Sequence, residues 1–141
     1  MQTPAFLELT QESGRAFFTR GTVGSVVMLN LLRFRKIADY TASPELAPAK
    51  PMTGEDAYRL YMAHTLPHLE ASGGRVLFLG RGGPFLIGPI GEVWDAAMLV
   101  QHQSVDAFMA FASNRQYMLG MGHRTAALED SRLLPLQEVL K

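Results

Sequence analysis

The sequence predicts a single domain of the α+β class, in which helices cover one side of an antiparallel sheet. Three observations support this prediction. The chain has 141 residues, the usual size of one domain. Hydrophobic residues make up 48% of it and charged residues 18%, as in packed globular proteins. Segments typical of strands and of amphipathic helices follow each other in the order β-α-β-β-α-β, behind one extra N-terminal helix.

The first third of the chain predicts a helix, a strand and a long loop. Thr10 is a suitable N-cap for a helix over 10–21. Apolar residues over 25–34, β-branched at the start, predict a strand that is buried on both faces. The segment 38–53 contains three prolines and no hydrophobic period, which predicts a long loop. Loops of this length often act as lids.

The rest of the chain supplies the second half of the pattern. A second helix begins at Thr53 or Gly54 and ends at the glycine pair 73–74. The remaining elements are predicted as a strand over 75–80, a turn region over 82–91, a strand over 92–102, a helix over 104–112, helical turns over 114–126 and a strand over 128–136. Without the N-terminal helix, this order is that of a ferredoxin-like sandwich spanning 1–141 as one domain.

The two central strands predict a sheet that is apolar on both faces. Two helices cover one face of a four-stranded sheet, so the other face should be polar if it meets water. Instead, large apolar side chains point alternately to both faces over 26–32, and the same holds over 96–100. We therefore expect a second copy of the chain to cover the open face, forming a homodimer around a two-fold axis. The alternative is that the N-terminal helix and the loop 38–53 cover it.

Composition excludes several classes of protein. The chain has no cysteine, which excludes disulfides, thiolate zinc sites and thiol nucleophiles. Thirteen Lys and Arg balance thirteen Asp and Glu, so no basic field attracts nucleic acid or an anionic membrane. Residues 1–4 do not begin a signal peptide, and no apolar run approaches the length of a membrane span. We expect a cytoplasmic protein without nucleic-acid or membrane partners.

Three stretches of the chain resemble a known family. They are VVMLNLLRFR over 26–35, GGRVL over 73–77 and HRTAALEDSRL over 123–133, together with Trp94-Asp95. In this order they resemble domain-of-unknown-function family 1330, a branch of the dimeric α/β-barrel superfamily, over residues 10–135. The resemblance implies a ferredoxin-like subunit that packs sheet to sheet as a homodimer, with a pocket between sheet and helices. The wider superfamily includes cofactor-independent monooxygenases and heme-degrading enzymes, so the resemblance implies a fold rather than one chemistry.

The tail motif supplies the first candidate site residues. His123 and Arg124 stand close in sequence to Glu129, Asp130 and Arg132. An arginine fork beside a carboxylate can clamp an anionic ligand group or orient a neighbouring histidine. The alternative is that the arginines pair with the carboxylates and anchor the crossing from the helix to the last strand, or the dimer.

The second helix supplies further candidates. His64 lies four residues before His68, so both share a face with Tyr61 and, less directly, with Tyr58. Two histidines at this spacing can bind a metal, but no third ligand accompanies them, and no metal site is predicted. We expect Tyr58, Tyr61 and His64 to line a pocket. The alternative is ordinary helix surface or core.

The strands carry the last candidates. Asn30 interrupts the apolar first strand and needs a hydrogen-bond partner if it is buried, while Arg33 points to the opposite face. In the superfamily's monooxygenases and heme degraders, an Asn of the first strand acts with a Trp and a His. The resemblance places Asn30, Trp94 and His102 in those roles. The alternative is a hydrogen-bonded core Asn, a packed Trp and a surface His.

Two functions fit these residues, and the residues alone do not decide whether the chain is an enzyme. The first is a cofactor-free homodimer that binds a small apolar, aromatic or carboxylated molecule between sheet and helices. The predicted lining is Asn30, Arg33, Tyr58, Tyr61, His64, Trp94, His123 and Arg124. The second is a cofactor-independent oxygenase or isomerase-like enzyme acting on a small aromatic or quinol-like substrate. There, neutral His64 or His123 would accept a proton from a phenol, and Asn30 or an Arg would stabilise the anion.

Overall fold

The computed structural model describes residues 5–140, and its elements follow the predicted order. The helices are α1 (Gln11–Thr19), α2 (Gly54–Ala71), α3 (Val105–Ala112), α4 (Arg115–Met118) and α5 (Met121–Ala127), and the strands are β1 (Val26–Phe34), β2 (Arg75–Pro84), β3 (Val93–His102) and β4 (Leu128–Leu136). Residues 1–4, on which the prediction about a signal peptide rests, lie outside the described residues. No helix of the described part is both long and apolar enough to cross a membrane.

The four strands form one antiparallel sheet in the order β2-β3-β1-β4. The central strand β1 pairs with β3 on one side and with β4 on the other, and β3 also pairs with β2. The two crossover connections, α2 and the α3–α5 segment, place their helices on the same face. This is the ferredoxin-like arrangement, which confirms the predicted α+β fold class.

The predicted helix starts are confirmed by their caps. Thr10, Thr53 and Ser104 precede α1, α2 and α3, and each side-chain oxygen accepts the backbone N–H three residues later. Such caps satisfy donors that the first helical turn leaves free. The local sequence therefore fixes where each of these three helices begins.

Strand β2 is longer than the sequence predicted, and the expected turn region over 82–91 is correspondingly shorter. Gly83 pairs with Trp94, and Pro84 pairs with Val93. Gly82 is required by this pairing, because a Cβ atom there would lie 2.5 Å from the Trp94 carbonyl oxygen. Gly82 marks a close approach of the two strands, and the proline is tolerated because β2 is an edge strand.

The hydrophobic core lies between the sheet and the helices. Val26, Met28 and Leu32 of β1 are at most 2% exposed, and alternate residues of β3 over 96–100 join them. Leu128, the first residue of β4, is completely buried in the same cluster. The strand period of two therefore assigns one set of side chains to the helix-covered face.

The other face of the sheet is apolar and open within residues 5–140. Val27, Leu29 and Leu31 of β1 lie on it, half-buried only by their neighbours. On β4, the residues opposite Leu29 and Val27 are Leu134 and Leu136, which are 51% and 38% exposed. The predicted second apolar face is therefore present.

The two segments that could have covered this open face pack on the helix layer instead. Phe17 of α1 contacts Phe108 of α3 edge to face, with ring centroids 5.8 Å apart. The loop 38–53 is tied to α5 by a hydrogen bond from the Asp39 N–H to the Ala126 carbonyl. Since α1 and the loop contact helices, neither of them covers the open face.

Candidate functional site

A cleft opens between one end of the sheet and the first turn of α2. Its volume is about 350 Å³, a size typical of small-ligand sites. The cleft is lined by Phe34, Arg35, Lys36, Thr53, Glu55, Arg81, Gly82 and Asp95. The family resemblance implied an apolar pocket between sheet and helices, whereas this cleft lies at one end of the sheet and is lined mainly by charged and polar groups.

Three cationic side chains and two carboxylates line the cleft. A nitrogen of Arg81 lies 3.3 Å from a Glu55 carboxylate oxygen, and Asp95 accepts the Phe34 N–H at 2.8 Å. The Nε of Arg35 is buried and has no hydrogen-bond partner among the described residues. The cleft therefore has one excess positive charge and one unused guanidinium donor. This is the chemistry that binds carboxylates and other planar anions.

Glycine 54 determines how closely the walls of the cleft approach each other. The Gly54 N–H donates to the Arg35 carbonyl at 3.0 Å, and the Arg35 N–H donates to the Ala127 carbonyl at 2.8 Å. A Cβ atom on Gly54 would collide with both carbonyl oxygens. The end of β1, the start of α2 and the end of α5 can meet at this point only because residue 54 has no side chain.

A second group of polar side chains lies where α2 packs against α4 and α5. We call Tyr40, Tyr61, His64, Tyr117 and His123 the tyrosine–histidine cluster. The buried hydroxyl oxygens of Tyr61 and Tyr117 are 2.7 Å apart, and the Tyr40 hydroxyl lies 2.7 Å from His123 Nδ1. The Nε2–H of His64 donates to the Gln116 carbonyl at 2.7 Å, so its Nδ1 is an acceptor when the ring is neutral.

Burial changes the protonation chemistry of this cluster. Burial lowers the pKa of His123, and the nearby His64 lowers it further. Burial raises the pKa of the Tyr40 hydroxyl, and burial together with the neighbouring Tyr61 raises that of Tyr117. Near neutral pH the cluster therefore contains a neutral imidazole and protonated phenols.

The cluster and the cleft are neighbours along α5. His123 lies four residues before Ala127, whose carbonyl accepts the Arg35 N–H at the edge of the cleft. Four residues correspond to about one turn of α-helix. On α2, Tyr58 packs on Phe34, a cleft residue, at 5.5 Å and on Tyr61 at 5.2 Å between ring centroids. The aromatic rings of Phe34, Tyr58 and Tyr61 thus form a continuous contact between the cleft and the tyrosine–histidine cluster.

Arg33 and Trp94 are predicted site residues that lie apart from both groups. The Arg33 guanidinium stacks 4.5 Å from the Trp94 ring centroid, and that of Arg132 stacks 5.0 Å from it. Asp130 pairs with Arg132 at 2.7 Å and with Arg33 at 3.5 Å. The anchoring alternative for Arg132 and Asp130 is therefore the one that the structure shows.

Arg124 connects the N-terminal segment to the edge strand β4. It donates to the Leu7 carbonyl and to the Ser131 hydroxyl oxygen. The Phe6 N–H donates to Asp130 at 2.9 Å, which adds a second connection. Burial alone would raise the pKa of Asp130, but hydrogen bonds from Phe6, Arg132 and Ser131 outweigh burial and lower it. These contacts assign Arg124 a structural role.

Asn30 is hydrogen-bonded within the sheet. Its Nδ2 lies 3.3 Å from the Met28 carbonyl oxygen and 3.5 Å from that of Met98. These contacts match the alternative in which Asn30 is a hydrogen-bonded residue of the sheet. Trp94 stacks with arginines at another place, so the structure does not bring the predicted Asn, Trp and His together.

The prediction that His102 is a surface residue if it has no catalytic role is wrong. The side chain is 2% exposed and packs between Phe108 and Phe111, with ring centroids 5.0 and 5.5 Å away. The alternation along β3 explains this, because even-numbered residues from 96 to 102 are buried and odd-numbered ones are partly exposed. Burial lowers the pKa of His102 to about 4.

The sequence missed the cleft residues, although one signal was present. Arg35 and Lys36 directly follow an apolar strand, and Thr53 opens a helix whose first turn is acidic. The pairing of these segments depends on tertiary contacts that no local pattern encodes. His64 and His68 have adjacent rings, but the described residues contain no group of three His, Asp or Glu able to hold a metal ion.

Comparison with known proteins identifies relatives of this chain. No family model matches it, and no curated protein matches it. It is similar to the RPA0582 protein of Rhodopseudomonas palustris, a protein of unknown function, with 33% identity and a TM-score of 0.84 over 98% of this chain and 100% of that one. The crystal structure of methylated RPA0582 is likewise 33% identical and gives a TM-score of 0.85 over 96% of each chain. At this identity and coverage, the chain belongs to the same family as RPA0582.

Proposed function

We propose that the chain is a homodimeric protein that binds a small aromatic carboxylate in the cleft under the first turn of α2. The cleft carries this proposal, because it combines a suitable volume with an excess of positive charge. Arg35 supplies a guanidinium whose buried Nε has no hydrogen-bond partner within residues 5–140. Phe34 supplies an aromatic wall against which a ligand ring can stack.

The expected affinity is modest. One or two charge-assisted hydrogen bonds contribute about 1.5–3 kcal/mol each, and an aromatic contact adds about 1 kcal/mol. Together they amount to about 2.5–7 kcal/mol, which corresponds to a Kd between roughly 10 µM and 10 mM. The Arg81 side chain is 75% exposed, so it can turn from Glu55 toward a bound carboxylate.

The homodimer is supported by the apolar face of the sheet. Five large apolar side chains of the inner strand β1 and the edge strand β4 lie there, namely Val27, Leu29, Leu31, Leu134 and Leu136. Packing this face against the same face of a second copy removes both apolar surfaces from water.

Membership in family 1330 and a cytoplasmic location belong to the same proposal. The predicted order of strands and helices and the tail motif over 123–133 support the first, and the balanced charge supports the second.

Titration with benzoate tests the proposed ligand site. We expect benzoate to shift the backbone amide resonances of the cleft residues in a ¹⁵N-labelled sample, and the uncharged benzamide to shift them at least tenfold more weakly. Arg35→Met keeps the aliphatic stem but removes the guanidinium, so it should weaken benzoate binding about tenfold or more. Arg59→Met is the matched control, since Arg59 pairs with Asp56 on the outer face of α2 and is 69% exposed.

Two outcomes of this titration would contradict the proposal. Equal shifts with benzoate and benzamide would show that the positive charge of the cleft does not select the ligand. Equal binding by wild type and Arg35→Met would show that the Arg35 guanidinium does not contact the carboxylate.

A second candidate function, cofactor-independent acid–base catalysis on a phenol or quinol, is supported by the contact between His123 and Tyr40. In the tautomer in which Nδ1–H donates to the Tyr40 oxygen, Nε2 keeps a free lone pair. Because burial and His64 lower the pKa of His123, the ring is neutral and can accept a proton near pH 7. The nearby Tyr40 fixes the orientation of the ring.

Oxygen uptake with a panel of quinols tests this second candidate. An oxygenase should consume oxygen in the presence of one quinol without added metal or flavin, and His123→Gln should abolish the uptake. Tyr40→Phe should keep part of the activity and change its pH profile, because it removes the hydroxyl that fixes the tautomer. Absence of uptake with every quinol, while benzoate binds normally, would leave binding as the function.

A further inference from the structure

The connection between β2 and β3 carries an exposed apolar surface. We call residues 85–91 the β2–β3 arm. Within it, Leu86, Ile87 and Ile90 are 100%, 93% and 105% exposed, and Phe85 is 42% exposed. Isolated exposed apolar residues are ordinary, but four large ones in six positions form a patch that water disfavours.

We infer that the β2–β3 arm packs against a second copy of this chain and completes the homodimer interface. The inference rests on the proposed homodimer and adds a separate contact surface to it. The arm joins β2 to β3, and both strands contribute to the open face through the paired residues Phe78 and Leu99. The arm and one part of the open face therefore belong to the same hairpin.

The area of the open face shows why the arm is needed. With roughly 150 Å² for each fully exposed large apolar side chain, the open face offers at most about 450 Å² per copy. For Phe78, Leu134 and Leu136, this estimate uses the exposed fraction of each side chain in the structure. The half-buried side chains are each given the largest exposed fraction that a half-buried side chain can have; they are Val27, Leu29, Leu31 and Leu99. A stable interface buries about 800 Å² per partner. The four apolar residues of the arm add roughly 500 Å², which brings the total above this requirement.

The charges around the arm favour a protein partner over a membrane. The segment 82–91 contains no charged residue. The nearest cation, Arg81, pairs with Glu55, and Glu92 follows the arm on the other side. Surface-binding segments of membrane proteins normally combine apolar residues with Lys or Arg. An uncharged apolar arm instead matches the uncharged apolar face of a second copy.

A single fluorescent label tests this inference, because the chain has no native cysteine. Ile87→Cys is labelled with acrylodan, and its emission is followed from 0.1 to 100 µM protein beside sedimentation velocity. We expect a blue shift with the same concentration midpoint as dimer formation. The control is Val23→Cys, an exposed position between α1 and β1, whose emission should stay constant.

A double substitution gives the second measurement. Ile87→Ser with Ile90→Ser should raise the dimer dissociation constant at least about 100-fold, while Val23→Ser should change it less than threefold. Both residues are almost fully exposed in one copy, so circular dichroism of the double variant should match that of wild type.

Other outcomes would overturn the inference. If the chain dimerises while the label at position 87 keeps the emission of a water-exposed dye, the arm lies outside the interface and the homodimer itself stands. If the chain is a monomer at every concentration, both the arm and the homodimer fail. If benzoate shifts the emission of the label at position 87 to the blue in the monomer, the arm closes over the cleft of the same chain instead of contacting a second copy. Sedimentation of wild type with phosphatidylcholine–phosphatidylglycerol vesicles, lost in the double variant, would make it a membrane contact.

Discussion

His102 predicts a specific pH dependence of folding stability. The side chain is buried between two phenylalanine rings, and its Nδ1 has no hydrogen-bond partner among the described residues. Its pKa in the folded chain is about 4, against an ordinary value of 6.5. Between these values the unfolded chain binds a proton at this position and the folded chain does not. The contribution of His102 to the free energy of unfolding should therefore be fully present above about pH 6.5 and should decrease as the pH falls toward 4.

The size of the effect follows from the two pKa values. A pKa of about 4 in the fold and 6.5 in the unfolded chain corresponds to roughly 3 kcal/mol. The assay is urea denaturation at pH 7, 6, 5 and 4, at one fixed protein concentration because self-association also changes stability. His102→Phe removes the titrating ring and keeps a planar apolar shape, at a pH-independent packing cost of about 1 kcal/mol.

The difference between wild type and His102→Phe isolates this residue. Other groups, including His123 and Asp130, titrate equally in both proteins. We expect the variant to lose roughly 3 kcal/mol less than wild type between pH 7 and pH 4. Parallel stability curves across this range would refute the reasoning, because they would show that the His102 ring is accessible to protons in the folded chain.

Three further predictions concern the packing around the site. Gly54→Ala should lower the free energy of unfolding by about 2–3 kcal/mol in urea denaturation, because the added Cβ atom collides with backbone carbonyls. The control is Gly14→Ala in α1, where the added Cβ atom would lie 4.0 Å from its nearest neighbour, so this variant should be about 0.5–1 kcal/mol more stable than wild type. Tyr117→Phe should cost about 1–2 kcal/mol, because it leaves the buried Tyr61 hydroxyl without its partner. In a double-mutant cycle, the variant with both Tyr61→Phe and Tyr117→Phe should lose less stability than the sum of the losses of the two single variants. Asp130→Asn should destabilise the chain by about 1–3 kcal/mol at pH 7. The difference from wild type should shrink as the pH falls below the ordinary aspartate value of 3.8, because the carboxyl is then protonated in the unfolded chain and, at lower pH, in the fold as well.

Local patterns in the sequence were sufficient to predict most of the fold. The caps at Thr10, Thr53 and Ser104 and the alternation in the central strands depend only on neighbouring residues. The last strand was predicted over 128–136 and is observed there. Strand β2 was predicted too short because Gly82, Gly83 and Pro84 are typical of turns, whereas an edge strand tolerates them.

The site was less predictable because its parts come from distant segments. Tyr61 and Tyr117 are 56 residues apart, and only the packing of α2 on α4 brings their hydroxyls together. The cleft combines residues from the ends of three strands with the start of a helix. In contrast, Trp94 was predicted by resemblance to line the pocket and instead stacks under two arginines. The residue types in the sequence show which side chains are able to bind or react. Which of these side chains lie close together depends on tertiary contacts.

A crystal structure of the wild-type chain grown with saturating benzoate at pH 7 is the most direct measurement of the proposed function. We expect the carboxylate of benzoate within 2.7–3.2 Å of a guanidinium nitrogen of Arg35, which is the normal range for such a hydrogen bond, with the ring against Phe34. An empty cleft at saturating benzoate, or benzoate bound only elsewhere on the chain, would contradict the assignment of this cleft as the ligand site.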